Sequence, residues 1–343
     1  MSSAADPAWL TSVPKVELHL HLEGSMSVDT VRTLTERHGA DPTRVWPQGI
    51  PDTFSFVDFP DFGRQFFYGL SLLRSGDDLA TITDDLAATL AGQNVRYAEI
   101  TTTAYTHFLS RGGHRLSETD YRDGLNEGRR RARARGVEIG WVIDIPRDLE
   151  RPDSTVTIDY LEGPNTPSGL VGIGLGGYEV GFPAAPYADH FARATALGLQ
   201  SLPHAGETEG AASIRSALDD LGAVRIGHGV RCLEDPALVA RLADEGVLLE
   251  VSLTSNRLIG VVDDLARHPL PELLAAGVRV CLNTDDPGWF ATDLVTELAL
   301  ATRHFGLDRR QHAALLLDAL DASFASPELK TSIRSELRDS LAS

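Results

Sequence analysis

The sequence predicts an α/β fold, a (β/α)8 TIM barrel with a helical insertion after its first strand and extra helices at its C-terminal end. Three observations predict it. Eight short apolar or alternating runs recur along the 343 residues, and stretches with helical periodicity lie between the later ones. Strands that alternate with helices form parallel sheets with helical crossovers, and eight repeats suggest that the sheet closes. A doubly wound open sheet is the alternative, but no G-x-G-x-x-G follows the first run, so the usual dinucleotide turn is missing.

The runs are, in order, "KVELHLH" (15–21), "VRYAEITTT" (95–103), "VEIGWVIDI" (137–145), "LVGIGLGG" (170–177), "LQSLPHAGE" (199–207), "VRIGHGV" (224–230), "VLLEVSLTSN" (247–256) and "VRVCLNTDDP" (278–287). Helical periodicity fills "AASIRSALDDLG" (211–222), "PALVARLADEG" (236–246) and "LPELLAAG" (270–277), each ending on a glycine, as a helix C-terminus often does. The stretch from about 25 to 94 is too long for a simple crossover and contains the aromatic-rich "FSFVDFPDFGRQFFYGLSLL" (54–73), a helical insertion. The tail from 307 to 341 reads as two closing helices. No linker or low-complexity tract separates a second unit, so residues 1–343 are expected to form one barrel domain.

Composition narrows the class. The chain is 42% hydrophobic and 23% charged, and at its length roughly three quarters of the unfolded surface can be buried without disulfides. Its two cysteines, Cys232 and Cys281, have no framework spacing, which points to a reducing compartment and to small apolar fillers. No apolar run spans a membrane and the N-terminus lacks a secretory pattern, so a cytoplasmic location is expected. A net charge of −18 argues against nucleic acid or an anionic membrane as partner, leaving a small-molecule substrate and, open in the sequence, a homo-oligomer. The basic "RRRARAR" (129–135) reads as a solvated helix face rather than a binding patch.

The chemistry-bearing residues fall at strand ends, where barrel enzymes place their catalytic groups. His19 and His21 end the first run, His204 and Glu207 the fifth, His228 the sixth, and Asp285 and Asp286 the eighth. Singly, a strand histidine reads as a hydrogen-bonded core residue and Asp-Asp-Pro as a turn or cap. Together they would be costly to bury unless paired or metal-bound. Imidazoles at i and i+2 on a strand point to one side, so His19 and His21 can share an ion that His204 and Asp285 complete. Zn2+ suits such a set, and ligand type alone also admits Fe2+ or Mn2+. A divalent metal there would lower the pKa of its water, with Glu207 spaced to donate a proton, His228 to orient or deprotonate the water, and Asp286 to accept a hydrogen bond.

As a set, "VELHLHLEGS", "HAGE", "RIGHGV", "LTSN" and "NTDDP" resemble the adenosine deaminase family of the amidohydrolase superfamily, over about residues 13 to 336. The resemblance implies a (β/α)8 barrel with one catalytic Zn2+ that hydrolyses the 6-amino group from adenine-type compounds. It makes His19, His21, His204 and Asp285 the metal ligands, Glu207 the donor to purine N1, His228 the residue that orients water, and Asp286 the acceptor that contacts the ring at N7. It places Gly177 against N3, Glu23 at the ribose end where adenosine-specific members usually have Asp, and Phe62 and Phe66 in a hydrophobic gate, although both also read as plain core. Related two-metal hydrolases use a lysine or carboxylate at the end of strand four. Here that end holds Gly174, Gly176 and Gly177, which favours a single ion. Gly174 stands where many members have Asp, and "LEVSLTSN" replaces "LEVCPTSN".

Adenosine or 2′-deoxyadenosine is accordingly the leading expected substrate, with adenine and 6-amino-6-deoxyfutalosine as alternatives that share the same catalytic residues. A different metal-dependent hydrolase would not require the paired "HAGE" and "NTDDP", and the Pro-Cys zinc motif of cytidine-type deaminases is missing. A catalytically dead relative would be expected to have lost a ligand or the proton donor, and every matched position is intact.

Overall fold

The computed structural model describes residues 5–57, 59–109, 113–148 and 155–342. Its first row of parallel strands is β1 (Lys15–His21), β2 (Val95–Thr102), β3 (Glu138–Pro146), β4 (Leu170–Gly176) and β5 (Gln200–Ser201), paired in that order. The second is β6 (His204–Ala205), β7 (Arg225–His228), β8 (Leu248–Val251) and β9 (Arg279–Leu282). All eight expected runs are strands, and the fifth is split because Pro203 has no N–H to give to a ladder. Leu202 still donates to the Ile173 carbonyl at 2.9 Å, which carries the fifth run along β4. The other seam closes where Leu20 bridges to Asp285, with the His21 amide donating to the Asp285 carbonyl at 2.8 Å. The nine segments thus make the eight staves of a (β/α)8 barrel.

Capping chemistry sets the surrounding helices. Three of them fill most of the insertion between β1 and β2, at Val28–His38, Phe59–Ser71 and Gly76–Gly92, with Ser27 and Ser75 accepting amides at the starts of the first and third. The helices Ala211–Leu221 and Pro236–Glu245 end on left-handed Gly222 and Gly246. The tail forms Arg309–Ala322 and Pro327–Ala342. The first of these lies over β1 and β9. There Ala319 and Leu320 pack with Val16, Leu18, Leu248 and Cys281.

One expected strand stops early. The run through residue 256 leaves the sheet after Val251, and Leu253–Leu258 is a short helix. The buried Glu297 accepts the amides of Leu253 and Thr254 at 2.8 and 3.1 Å, so the first N–H groups of this helix are satisfied from another helix. The basic run is a paired face: Arg130 and Arg131 hold Glu127, Arg133 holds Glu138 and Arg135 holds Asp84. Cys232 and Cys281 are buried and unpaired. Among the described residues no helix is long and apolar enough to cross a membrane.

The helices Gly76–Gly92 and Glu118–Ala134 cross at a backbone contact, where a Cβ on Gly124 would sit on the Gly76 carbonyl oxygen. Gly124→Ala is therefore expected to force the helices apart and cost about 1–3 kcal/mol as overpacking does. Thermal unfolding should show this as a drop of roughly 2–4 °C per kcal/mol. An unchanged midpoint would mean that the crossing yields freely.

Candidate active site and metal centre

The strand ends bring the expected residues to one rim. His19 and His21 project from the same side of β1, with ring centroids 5.5 Å apart. The His204 ring lies 4.5 Å from His19, 5.2 Å from His21 and 5.3 Å from His228. Asp285 follows β9 and, through the seam, lies beside β1. His228 and Asp285 both hold left-handed backbone, φ 63° and 66°, a conformation that costs a non-glycine residue about 1–3 kcal/mol and concentrates at functional sites.

The nitrogen and oxygen atoms in this cluster face one another. His21 Nε2 lies 3.2 Å from His204 Nε2 and 3.3 Å from Asp285 Oδ1, and His19 Nε2 lies 3.5 Å from the same oxygen. Lone pairs aimed at a common point repel unless a cation lies between them. The separations match the edges of a tetrahedron around an ion with bonds of about 2.0–2.1 Å. His19 Nε2 is buried without a hydrogen-bond partner, as a ligand atom awaiting an ion would be. Burial works against charging His19, but the neighbouring carboxylates of Asp285 and Glu250 outweigh this and hold the ring up at about 10, so the pocket draws a cation, a proton or a metal ion in its place. Positive charge is thus favoured at this point. Burial and the rings of His19 and His21 drive His204 well below the usual range, which keeps it neutral. The residues present fit a divalent cation with nitrogen-rich coordination.

Both His21 and His228 are candidates for the remaining position, since His19, His204, His228 and Asp285 also offer atoms within 4.8 Å of one another. A hydrogen-bond chain separates them. The Leu270 amide donates to His268 Nδ1 at 3.1 Å, so neutral His268 carries its proton on Nε2, which faces Asn256 Oδ1 at 3.0 Å. The Asn256 amide nitrogen then faces His228 Nδ1 at 3.3 Å and donates to it. Burial lowers both rings to about 4, so His228 is neutral with its proton on Nε2. That atom lies 3.3 Å from Glu207 Oε1 without forming a hydrogen bond, and, carrying the proton, it has no lone pair to give an ion.

The carboxylates divide by environment. Burial and the charge of Asp285 push Glu207 up to about 8 and Asp286 up to about 7. Burial also opposes the charge on Asp285, but the rings of His19 and His21 hold it well below the ordinary range. The Ser255 hydroxyl donates to Asp285 Oδ2 at 2.6 Å. Asp286 packs against Gly24, where any Cβ would collide with the carboxylate.

The remaining expected residues lie around this centre. Glu23 is buried, and its Oε1 accepts from Thr102 Oγ1, the Thr103 amide and His107 Nε2 at 2.7, 3.2 and 2.8 Å. Gly177 is exposed with φ 84°, and a Cβ there would lie 2.9 Å from Asp148 Oδ1. Gly174 has an explanation in its neighbour: buried Asp144 of β3 fills the space, its Cβ 2.9 Å from where a Gly174 side chain would begin. Phe62 and Phe66 are partly buried, with Phe62 against Phe290 and Phe66 against Trp289, centroids 5.6 and 6.1 Å apart. Trp289 in turn donates to the Glu23 carbonyl at 3.1 Å, so the insertion is anchored on the segment that follows Asp286.

Several residues that orient the centre have no role that the sequence alone assigns, although Arg225, Ser255, Asn256 and Asn283 lie inside the motifs "RIGHGV", "LTSN" and "NTDDP". His19 Nδ1 donates to Glu250 Oε2 at 2.9 Å, and Arg225 donates to Glu250 Oε1 at 2.6 Å and to Glu99. The Asn283 side chain accepts the amides of Leu18 and His19 at 2.9 and 3.1 Å. Glu250, Ser255 and Asn256 all lie inside "LEVSLTSN", where spacing alone does not say which side chains turn inward.

Comparisons with known proteins agree with this geometry. The family model described as "Adenosine deaminase" matches residues 14–340. An aminodeoxyfutalosine deaminase of Streptomyces avermitilis is 40% identical over 96% of this chain and 92% of its own. The crystal structure of an adenine deaminase from Arthrobacter aurescens superposes with a TM-score of 0.89 at 30% identity, covering 97% of this chain and 100% of that one. A Burkholderia ambifaria amidohydrolase with bound Zn has a TM-score of 0.85 at 25% identity, covering 100% and 98%.

Glu250 fixes His19 with its proton on Nδ1 and its lone pair on Nε2. Partners of this kind typically cost about 10–100-fold in metal affinity when removed. Glu250→Gln is expected to weaken Zn2+ binding to the metal-stripped protein by that factor, measured by competition with a chromophoric chelator. Unchanged affinity would show that the Glu250–His19 contact does not tune the site.

Proposed function

The chain belongs to the adenosine deaminase family and is a hydrolase acting on C–N bonds of aminopurine-type substrates, and we propose that it removes the 6-amino group of 6-amino-6-deoxyfutalosine. The observation that carries the reaction type is the carboxyl of Glu207 facing His228 Nε2 at 3.3 Å, beside three imidazoles and Asp285. For the substrate, the support is the Streptomyces relative's name and its similarity along nearly the whole chain. Adenine is the second reading, favoured by the fold match to the Arthrobacter enzyme. Adenosine, the substrate expected first from the sequence, has less support, because Glu23 Oε1 is committed to three protein donors instead of standing free for a ribose.

In this reading His19, His21, His204 and Asp285 would hold one Zn2+. Bound there, zinc supplies a Lewis acid that brings the deprotonation of water near neutral pH. Glu207, kept protonated near neutrality by burial, donates to purine N1 and withdraws electron density from C6. His228 presents its Nε2–H toward the attacking oxygen and orients it. N7 carries a lone pair, so Asp286 meets it as the protonated acid, a state its raised pKa favours. The exposed backbone at Gly177 contacts the ring edge. The amino nitrogen takes up a proton and leaves as ammonia, and the product keeps an oxygen at C6.

Glu207→Gln is expected to lower kcat by about 10²- to 10⁴-fold, the range for one general acid, while zinc stays bound. Near-normal turnover in that variant would overturn the role given to Glu207. A panel of 6-amino-6-deoxyfutalosine, adenine and adenosine, followed by the fall in adenine-band absorbance with zinc content measured on the same sample, tests the substrate. The highest kcat/KM is expected on the first compound. A preference for adenosine would overturn the substrate assignment, and no turnover on any of the three would overturn the reaction.

A further inference from the structure

The loop that carries Glu207 is held by a carboxylate that no step above uses. Glu179 lies two residues beyond Gly177 and is buried, 3% exposed. Its Oε1 accepts the Gly206 amide at 2.7 Å and the Ser213 hydroxyl. Its Oε2 accepts the amides of Glu207, Thr208 and Glu209 at 3.1, 2.9 and 2.9 Å, and the Thr208 hydroxyl lies at 3.4 Å. Four consecutive backbone N–H groups converge on one anion, the concavity that elsewhere binds phosphate or a metal cluster. Here the anion is built in.

We propose that Glu179 is a positioning residue for the proton donor: it fixes the backbone of residues 206–209 so that the Glu207 carboxyl is presented to the substrate. The proposal rests on the reading of Glu207 as the donor. Residues 206–209 have few other restraints. Gly206 is left-handed, φ 69°, and the helix Ala211–Leu221 begins at Gly210, which has no side chain to cap it. Glu179 ties the loop to the first turn of that helix through the Ser213 hydroxyl. The other fixings act on carbonyls: Arg147 donates to that of His204 at 3.1 Å, the Arg231 amide to that of Gly206 at 3.1 Å, and the Arg231 side chain to that of Thr208. Without an acceptor, four parallel amides would be left unpaired, and the loop would rearrange to satisfy them. A glutamine cannot substitute, because one oxygen must replace two and its NH2 group would face backbone N–H donors.

A displacement of about 1 Å in a catalytic group costs on the order of 10²-fold in rate. Glu179→Gln in the zinc-loaded enzyme, assayed on the best substrate of the panel, is therefore expected to lower kcat by roughly that factor, with KM changed by less than about threefold. Zinc content should stay at the wild-type level. Glu179→Asp keeps the charge and is expected to recover about tenfold of the lost kcat. Adding Glu179→Gln to Glu207→Gln should cost less than about threefold more, since the residue being positioned no longer donates. A kcat within threefold of wild type, a loss that only tracks lost zinc or folded protein, or full additivity with Glu207→Gln would overturn the proposal.

If the glutamine variant does not fold, Ser213→Ala removes one donor and leaves the carboxylate. It is expected to lower kcat about threefold at unchanged KM, and an unchanged kcat would overturn the proposal. Failure of the Glu207 reading is distinguishable, because it appears in Glu207→Gln alone, whatever the Glu179 variants do.

Discussion

Everything at the rim depends on how the barrel closes. The His21 amide donates to the Asp285 carbonyl at 2.8 Å, and the Asp285 amide donates to the His19 carbonyl at 3.2 Å. These two backbone bonds join the start of the sheet to its end, and they involve three of the four residues assigned to the metal. Some 260 residues of chain separate the two sides, so the ligand set does not exist before the sheet is complete. The left-handed backbone at Asp285 is the local cost, since it turns the carboxylate inward while its N–H and C=O stay in the seam. Asn283, two residues earlier, accepts the amides of Leu18 and His19 and ties the same edge from its side chain.

A second constraint is charge. The barrel interior is polar, and buried ions cost several kcal/mol each unless paired and fully hydrogen-bonded. Arg225 sits between Glu99 and Glu250, and Glu250 in turn holds His19, so a chain of alternating sign runs from the foot of the barrel to the rim. At the foot, Arg225 also donates to the Ala322 carbonyl, and Glu99 accepts the Phe324 amide, which connects the closing helices to the same chain. Glu17 is satisfied separately by the amide and hydroxyl of Thr284. Two of the rings are oriented by such a partner, His19 by Glu250 and His228 by Asn256, so their proton positions are decided one layer behind the site.

Much of this was legible in the sequence, for identifiable reasons. Strand and helix runs are written in period, and the strand ends advertise His and Asp because such residues are rare on buried strands without a task. The positions of the eight runs, the helical insertion and the two closing helices needed nothing more. Other features depend on groups that meet only in three dimensions. The seventh run looked like one strand to residue 256, but Glu297, some forty residues later, makes a helix of its end. The fifth run reads as one strand through Pro203, but the missing N–H there splits it, and only what β4 offers decides how it continues. Glu179 and Glu250 lie in ordinary-looking surroundings and Asn256 in a motif that does not state its task, and the roles of all three come from the partners they reach.

The same distinction explains why the chemistry was easier to read than the substrate. Proton donor, ligands and orienting ring must keep their identity for the reaction to proceed, so they leave motifs. The N9 end of the pocket only has to fit. Glu23 shows the difference: from sequence it is a longer version of a ribose-contacting Asp, reaching one methylene further toward substrate. In the fold that extra reach goes sideways, into Thr102, the Thr103 amide and His107, and the carboxylate becomes part of the wall. Its neighbour Gly24 gives way to Asp286, and the Glu23 carbonyl anchors Trp289, on which the insertion packs. One residue thus links the pocket wall, the Asp286 carboxyl and the helix Phe59–Ser71. A change of substrate in this family would then be expected to involve Glu23 together with His107 and the Trp289 contact, because none of the three can move alone.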